Sequence, residues 1–356
     1  MDLTRSFSIL AVLAVHLELT GARGGSFWSA FAGKGSLGVS SFFVVSGFLI
    51  TRVLRDGPGG LARPDLRAFY AKRAGRILPP LAAVLAAGWA MNLGVTRTTE
   101  AFRACFNGTG HLLRPSLYAS VAAFSFNWLR ILGPARGFGL HWDVLWSLSI
   151  EEQFYLLYPL ALRALNGRRA LALFLGFWTV AGPLARLAAA RAHPGDYLWI
   201  YTNSFGGFDQ LALGGLLLLA DERWGAALGR SRGRAAALAA AGLALAAWSY
   251  AAVRTSDDLV WAPSLFAGGV ALFLLGGLAL PALNGDAARA LGLPGRLSYE
   301  AYLLQGLVLY ALWGALKPLG PLPGFLLWSA AVTAAAWAFS RLYAEPLRRK
   351  TVSIMA

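Results

Sequence analysis

Apolar runs of about 18–22 residues recur along the whole chain and are separated by short polar segments. Each run is long enough to cross the hydrocarbon core of a bilayer as a helix, which takes about 20 residues. Hydrophobic residues make up 57% of the chain and charged residues only 14%. The sequence therefore predicts an all-α fold, a polytopic integral membrane helix bundle.

The runs predict about ten transmembrane helices plus one re-entrant or interfacial helix. The predicted spans are 6–20, 37–54, 77–95, 144–163, 170–188, 205–221, 235–252, 261–282, 299–316 and 321–340. Pro79 and Pro80 then fall in the first turn of the third span, where proline is tolerated. Segment 117–132 could also cross the membrane. We prefer a half-buried position for it, since roughly two thirds of the Lys and Arg then lie on the cytoplasmic side.

The formal net charge of +15 raises the question of a nucleic-acid partner. The basic residues, however, cluster in short loops between the apolar runs, as the positive-inside rule describes. We therefore expect the lipid bilayer as partner, no nucleic acid, and both termini in the cytoplasm. Residues 1–340 form the predicted transmembrane domain, and residues 341–356 form a short basic cytoplasmic tail suited to anionic headgroups.

Arg5 and His16 lie eleven residues apart in the first predicted span. Eleven steps of about 100° bring both side chains to one helix face, roughly 16 Å apart along the axis. His16 would then lie around or past the middle of the hydrocarbon, where an ionisable group is costly and indicates a function. A pore-facing histidine satisfied by a neighbour is the structural alternative.

Arg73 and Arg76 are three residues apart and share a helix face at the predicted cytoplasmic end of the third span. Two adjacent guanidinium groups suit a phosphate or pyrophosphate, because arginine offers planar bidentate donors. Snorkelling and topology signalling explain most arginines at such positions and stay open as the alternative.

The stretch WSLSIEEQFYLLYP (146–159) places two adjacent carboxylates, Glu151 and Glu152, at the start of a span. Neighbouring helical residues are about 100° apart, so the two cannot share one face. Acidic residues also favour the first turns of a helix through its dipole. That effect does not explain Ser147, Ser149 and Gln153, so a polar cavity is the better interpretation.

Asp209 begins another predicted span, where helix capping is a sufficient explanation. Ser298, Tyr302 and Gln305 follow each other at steps of four and three and lie near one helix face. Their hydroxyl and amide groups would line a passage, although tyrosine at a helix end is also an interfacial anchor.

No metal site is expected. His111, His141 and His193 show no HxxxH or HExxH spacing. Cys105 is the single cysteine, which excludes an internal disulfide and a thiolate metal cluster.

Six motifs occur in the order in which a known family has them. They are Arg5-x10-His16, GVSSFFVVSGFLIT (38–51), KRAGRILP (72–79), WSLSIEEQFYLLYP (146–159), LSYEAYLLQ (297–305) and EP (345–346). Over essentially the whole chain they resemble acyltransferase family 3, the OafA/OatA-like membrane O-acyltransferases.

The resemblance implies transfer of an acyl group, with acetyl expected, from acyl-CoA as co-substrate to a hydroxyl. The implied acceptor is a glycan, cell-envelope polysaccharide or macrolide-like molecule, and the implied location is the inner (plasma) membrane of a bacterium. His16 resembles the catalytic histidine and Arg5 its partner, while Arg73 and Arg76 resemble the pair at the CoA-binding end. The further site candidates are catalytic Glu151 and Glu152, and substrate-binding Ser147, Tyr155, Tyr302 and Gln305.

Three departures from the family pattern matter. The YLxH motif ends here in Gln305, which argues against a histidine-dependent role at that position. Gly207 stands where an arginine often precedes the FD pair, which weakens a ligand role for Asp209. We also expect a variant without the SGNH-type esterase domain of the larger members.

The mechanistic hypothesis makes His16 the general base, with Glu151 or Glu152 orienting the imidazole. A covalent acyl-histidine stays open, as do the acyl chain length and an oligomeric state. The alternative function is a proton-coupled secondary transporter or exporter with His16, Glu151 and Glu152 as a relay. That alternative explains the arginine pair less well and expects internal repeats, which are not evident in the sequence.

Overall fold

The computed structural model describes residues 1–19, 26–93, 115–133, 140–165 and 167–355. This described part is built from helices without β-strands, which confirms the predicted all-helical class. The helices of the first half are α1 (Asp2–Leu19), α2 (Ser26–Ala32), α3 (Leu37–Asp56), α4 (Leu66–Leu93), α5 (Pro115–Ala122), α6 (Phe126–Leu132), α7 (Leu140–Asp143) and α8 (Leu145–Ala164).

The second half continues in the same way. Its helices are α9 (Arg168–Ala192), α10 (Tyr197–Tyr201), α11 (Ser204–Gly229), α12 (Arg232–Ala252), α13 (Ala262–Leu278), α14 (Asp286–Leu291), α15 (Leu293–Arg296), α16 (Ser298–Leu316), α17 (Pro321–Phe339) and α18 (Glu345–Met355). Short 3₁₀ turns occur at Asp257–Val260 and Pro281–Asn284, and a π-helical turn at Ser340–Ala344 joins α17 to α18.

Within the described residues, four helical segments are long and apolar enough to cross a membrane. They are Trp28–Asp56, Arg168–Ala192, Arg232–Ala252 and Pro321–Lys350. This agrees with a helical membrane protein. The number of about ten spans stays a prediction.

Helix α4 corrects the position expected for Pro79 and Pro80. The helix begins at Leu66, so both prolines lie in its interior rather than in a first turn. The charged residues before position 77 end the apolar run, but they do not end the helix, so the apolar run places the start of α4 too late. The two prolines interrupt the hydrogen-bond ladder, which a helix in a membrane tolerates when neighbouring groups compensate.

Segment 117–132 is not one continuous helix. It forms α5 and α6, separated at Ala123–Ser125, where Phe124 has a left-handed backbone with φ of 50°. Each helix has only seven or eight residues, much shorter than the roughly 20 that a span requires. The break favours the re-entrant or interfacial alternative over a single crossing.

The contacts within the chain define two compact units. The first contains residues 1–8, 37–65 and 147–293, and the second contains residues 9–36, 66–146 and 294–356. Helix α11 is the centre of the first unit, since it packs against α3, α9 and α13, and α13 also packs against α12.

The crossing of α3 and α11 depends on two glycines. A Cβ atom on Gly47 would lie 1.9 Å from the carbonyl oxygen of Leu211, and one on Gly214 would lie 2.1 Å from that of Val44. Because the obstructing atoms belong to backbone, they cannot move aside cheaply. Only glycine at both positions allows the two helices to approach so closely.

Two arginines and one glutamate from three predicted cytoplasmic segments meet at one end of the first unit. Arg55 at the end of α3 donates to Glu222 of α11 at 2.9 Å, and Arg168 at the start of α9 bonds the other oxygen of the same carboxylate. These segments were all predicted on one side of the membrane, and their contacts agree with that arrangement.

In the second unit, α16 packs against α17, α4 and α7, and α18 packs against α4. Trp28 of α2 contacts Phe325 of α17 edge to face, with ring centroids 5.4 Å apart. Helix α16 is therefore the element around which this unit is arranged.

The glycine crossing generates the first prediction. Gly47→Ala should lower the free energy of unfolding by about 1–3 kcal/mol or more, since overpacking against backbone forces α3 and α11 apart. The measurement is the thermal unfolding midpoint of the protein purified in detergent. Gly176→Ala is the matched control, because a Cβ there meets nothing within 4 Å. An unchanged midpoint for Gly47→Ala would contradict the argument.

Candidate active site

His16 lies near the end of α1 and is half-buried. Its Nδ1 atom is 2.7 Å from Oε1 of Gln305, a fully buried residue of α16. Both residues belong to the second unit. The structure thus brings together two site candidates that are 289 positions apart in sequence.

The amide of Gln305 fixes the protonation pattern of the imidazole. Its Nε2 group donates to the carbonyl oxygen of Tyr302 at 3.0 Å, so its Oε1 atom faces His16. A carbonyl oxygen can only accept, which means that Nδ1 of His16 carries the hydrogen. Nε2 of the neutral ring then presents a lone pair, as a general base requires.

Two tyrosine hydroxyls hold the start of α16 in place. Tyr302 donates to the carbonyl oxygen of Val144 at 3.0 Å, and Tyr299 donates to that of Ile77 in α4 at 2.9 Å. The predicted face of Ser298, Tyr302 and Gln305 exists, but the hydroxyl of Tyr302 ends on backbone. In the structure, Tyr302 positions Gln305, the residue that holds His16.

Arg130 of α6 is a residue that the sequence interpretation missed. It is 8% exposed, and its Nε atom lies 3.3 Å from Oδ1 of Asp143 in α7. Its charge also interacts electrostatically with His16. The signal was an arginine inside the apolar run 117–132, a position where an ionisable residue calls for an explanation.

The predicted acidic pair lies on α8 in the first unit. Glu151 is half-buried and accepts a hydrogen bond from the hydroxyl of the buried Tyr155, while Glu152 is itself buried. Gln153 accepts from the hydroxyl of Ser204. The two carboxylates thus have different surroundings, as their angular separation predicts.

The remaining candidates lie on the helices where they were expected. Arg73 and Arg76 are on α4, the first half-buried and the second exposed. Arg5 is on α1 and half-buried, and Ser147 is buried near the start of α8. Their assigned functions stay predictions.

A second polar centre in the first unit surrounds Asp209. Arg186 of α9 bonds the Asp209 carboxylate with both terminal nitrogens, at 3.1 and 2.9 Å, and both side chains are fully buried. Ser264 of α13 bonds the same carboxylate, and the remaining guanidinium donors reach the carbonyl oxygens of Val260 (2.9 Å) and Gly206. The capping explanation for Asp209 is therefore wrong: Asn203 is the N-cap of α11, and Asp209 is half of a buried ion pair.

Small neighbours make room for this pair. A Cβ atom on Gly182 would lie 2.5 Å from the Asp209 side chain, and one on Gly206 would lie 2.8 Å from that of Arg186. A sequence signal was present, since Arg186 falls inside the predicted span 170–188. Its partner on another helix could not be identified from sequence.

The loop between α12 and α13 positions one acceptor of Arg186. Asp258 accepts from the backbone N–H groups of Arg254 and Thr255 at 2.9 and 2.8 Å, and these bonds hold the pKa of Asp258 below its usual value. The ordered loop carries Val260, whose carbonyl oxygen faces the guanidinium.

Of the residues considered for a metal site, the structure describes the side chain of His193. His193 stacks on Trp199 with ring centroids 4.2 Å apart. His111 and Cys105 lie outside the described residues, as does the side chain of His141. Among the residues that the structure describes, no group of three His, Cys, Asp or Glu side chains could hold a metal ion.

These features define a helical, membrane-type protein in which a histidine is held at Nδ1 by an amide oxygen. Comparison with known proteins gives the family. The profile of the acyltransferase 3 family, described as an acyltransferase domain, matches residues 1–341. The chain belongs to this family, which confirms the resemblance inferred from the motifs.

Similar proteins include bacterial cell-wall enzymes. The chain is 34% identical over 167 residues to "Putative peptidoglycan O-acetyltransferase YrhL" of Bacillus subtilis, covering 46% of this chain and 23% of that protein. It is 30% identical over 161 residues to "Peptidoglycan O-acetyltransferase OatA" of Listeria monocytogenes, covering 45% and 23%. It is 29% identical over 174 residues to "O-acetyltransferase OatA" of Staphylococcus aureus, covering 47% and 25%.

The matched stretch thus spans about a quarter of the length of these relatives. No solved structure matches the chain.

The buried ion pair generates the second prediction. Arg186→Met should lower the free energy of unfolding by about 3–5 kcal/mol, because it leaves the Asp209 carboxylate buried without a counter-charge. The double variant Arg186→Met/Asp209→Leu should recover much of that loss, since no charge is then left. Thermal unfolding of the detergent-purified variants measures both effects. Strictly additive losses in the double variant would show that the two residues are not coupled.

Proposed function

We propose that this protein is a membrane O-acyltransferase that moves an acyl group, with acetyl expected, from acyl-CoA to a hydroxyl of a glycan. Membership of the acyltransferase family supports the reaction class. The names of the similar proteins support a glycan with a free hydroxyl as acceptor. The observation that carries the proposal is the contact of His16 with Gln305, which leaves one imidazole nitrogen available as a base.

In the proposed reaction, Nε2 of His16 takes the proton from the acceptor hydroxyl as its oxygen attacks the thioester carbonyl carbon. The carbon–sulfur bond then breaks, and the CoA thiolate leaves. The imidazolium of His16 returns its proton to that sulfur, so the products are the ester and CoA with a free thiol. The histidine ends the cycle neutral, as it began.

Gln305 has the role of positioning residue in this scheme. It holds Nδ1–H of His16 and selects the tautomer, which is the function that the sequence interpretation assigned to Glu151 or Glu152. Because an amide has no charge, it orients the ring without binding the imidazolium strongly. The role of the two carboxylates stays a prediction.

Arg73 and Arg76 are proposed to bind the phosphates of the acyl-CoA donor. They lie on α4, whose Ile77 carbonyl accepts from Tyr299, three residues before Tyr302. The same helix α16 therefore contacts α4 one residue beyond Arg76 and also carries the Gln305 that holds His16. A donor bound at the arginines would extend from there toward the histidine.

The third prediction tests the base. His16→Ala should reduce acyl transfer by about 10²–10⁴-fold, and Gln305→Leu by about 10²-fold, because the ring loses its fixed orientation. Gln305→Glu keeps an acceptor at Nδ1 and should restore part of the rate. The measurement is mass spectrometry of envelope glycans from a deletion strain carrying each variant, following the increment of about 42 Da for an acetyl on a hydroxyl.

His193→Ala is the matched control for the loss of an imidazole, since His193 stacks on Trp199. This variant should acetylate like the wild type. A folded His16→Ala protein with wild-type product levels would exclude His16 as the base.

The fourth prediction separates the enzyme from the alternative proton-coupled transporter. Acetyl-CoA should raise the thermal unfolding midpoint of the purified protein, whereas phosphate-free acetyl-pantetheine should not, because a ligand stabilises only the state that binds it. Arg73→Ala should weaken the response to acetyl-CoA and raise its KM while leaving kcat nearly unchanged.

Two outcomes of the same measurement would contradict the prediction. Equal stabilisation of wild type and Arg73→Ala would remove the phosphate role of the arginines. No response of the wild type to acetyl-CoA would favour the transporter.

A further inference from the structure

Helix α18 brings a second basic segment to α4. Helix α4 carries four cationic residues, Arg67, Lys72, Arg73 and Arg76, and its sequence contains no Asp or Glu. The residues of α18 include three adjacent cations, Arg348, Arg349 and Lys350, and one carboxylate, Glu345. The two helices pack against each other in the second unit although more than 250 residues separate them in sequence.

The connections between the helices show where along α4 this contact lies. Helices α16 and α17 pack together and are joined by only four residues, so they run antiparallel. The start of α16 and the end of α17 therefore lie at the same level. The start of α16 contacts α4 at Ile77 through Tyr299, and α18 follows the end of α17 after one π-helical turn.

Helix α18 consequently meets α4 near Ile77. Arg73 lies four residues before Ile77, about 6 Å along the helix axis. Arg76 directly precedes Ile77. The packing of α18 on α4 thus brings the cationic segments of both helices to one region of the surface of the second unit. We define this surface as the basic platform, formed by Lys72, Arg73, Arg76, Arg348, Arg349 and Lys350.

Glu345 organises the α18 side of the platform. One of its oxygens accepts from Arg348 at 2.8 Å and from Arg349 at 3.3 Å. The two arginine side chains stay 46% and 78% exposed, so their other N–H groups face outward. A single carboxylate therefore holds two guanidinium groups without neutralising the platform. It also restricts the two arginine side chains before a ligand binds, so less conformational entropy is lost on binding.

We propose that α18 and α4 together form one binding surface for a ligand with several phosphate groups, in which α18 supplies the cations that Arg73 and Arg76 alone lack. The platform holds six cations, more than a single phosphate needs, and guanidinium groups suit phosphate oxygens in bidentate fashion. Two sources offer such phosphates at this place. They are the 3′-phosphate and diphosphate of CoA, and the headgroups of anionic phospholipids. The first source rests on the proposed function.

The fifth prediction uses the triple variant Arg348→Ala/Arg349→Ala/Lys350→Ala in the full-length protein. Its Kd for CoA, measured by calorimetry in detergent, should rise on the order of tenfold through lost charge-assisted contacts. Its affinity for dephospho-CoA should change less, because that ligand has one phosphate fewer. The matched control is Arg230→Ala/Arg232→Ala/Arg234→Ala, which removes three exposed arginines from the other unit and should bind CoA like the wild type.

A second arm distinguishes the lipid source. Wild type and triple variant are reconstituted in vesicles of phosphatidylcholine with and without phosphatidylglycerol, and thermal stability is compared. If phosphatidylglycerol stabilises the wild type but not the triple variant while both bind CoA equally, that result supports the platform and assigns it to lipid. Unchanged CoA binding together with an unchanged response to phosphatidylglycerol overturns the inference.

The outcome is separable from the proposed function. If Arg73→Ala weakens CoA binding and the triple variant does not, only the contribution of α18 to CoA binding fails. If CoA binds neither wild type nor variants, the acyl-CoA donor fails, while the lipid arm still tests the platform. The substitution Arg348→Lys/Arg349→Lys, which keeps charge and loses the planar donors, should bind CoA with intermediate affinity if the helix is folded and in place.

Discussion

The ion pair of Arg186 and Asp209 is the constraint on which the first unit depends. Both side chains are fully buried, and a single charge in such surroundings is costly unless paired and hydrogen-bonded. Arg186 satisfies its donors on Asp209, Val260, Gly206 and Ser264. These partners belong to different helices and one loop, so α9, α11 and α13 have one relative position in which every donor is used. The pair thus specifies register more than it adds net stability.

In the second unit, the hydrogen bonds that hold His16 run through neutral partners. Gln305 connects His16 to the backbone of Tyr302, and Tyr302 connects to the backbone of Val144. Backbone carbonyls are fixed acceptors, since their helices cannot rotate independently. The orientation of the histidine is therefore determined by main-chain geometry two hydrogen bonds away, and it does not require a nearby counter-ion.

Hydropathy predicted the bounds of most long helices well, because an apolar run ends where the side chains become exposed to water. The predicted span 321–340 corresponds to Pro321–Phe339, and 37–54 to Leu37–Asp56. It placed the start of α4 eleven residues late, because charge ends an apolar run without ending a helix. The motif resemblance identified His16 and Gln305 as candidates, but not their contact. Arg186 was missed because window averaging hides one charge among apolar neighbours, and its partner comes from tertiary structure.

The amide at position 305 has a consequence for how readily the imidazole of His16 would release a proton. A carboxylate in that place would attract the second proton of the imidazole and lower its tendency to give that proton away. A neutral carbonyl oxygen exerts no such charge–charge attraction, so an imidazolium formed in the proposed reaction would release its proton more readily. The same residue choice makes this centre insensitive to the ionisation of its own support, because glutamine has no proton to gain or lose.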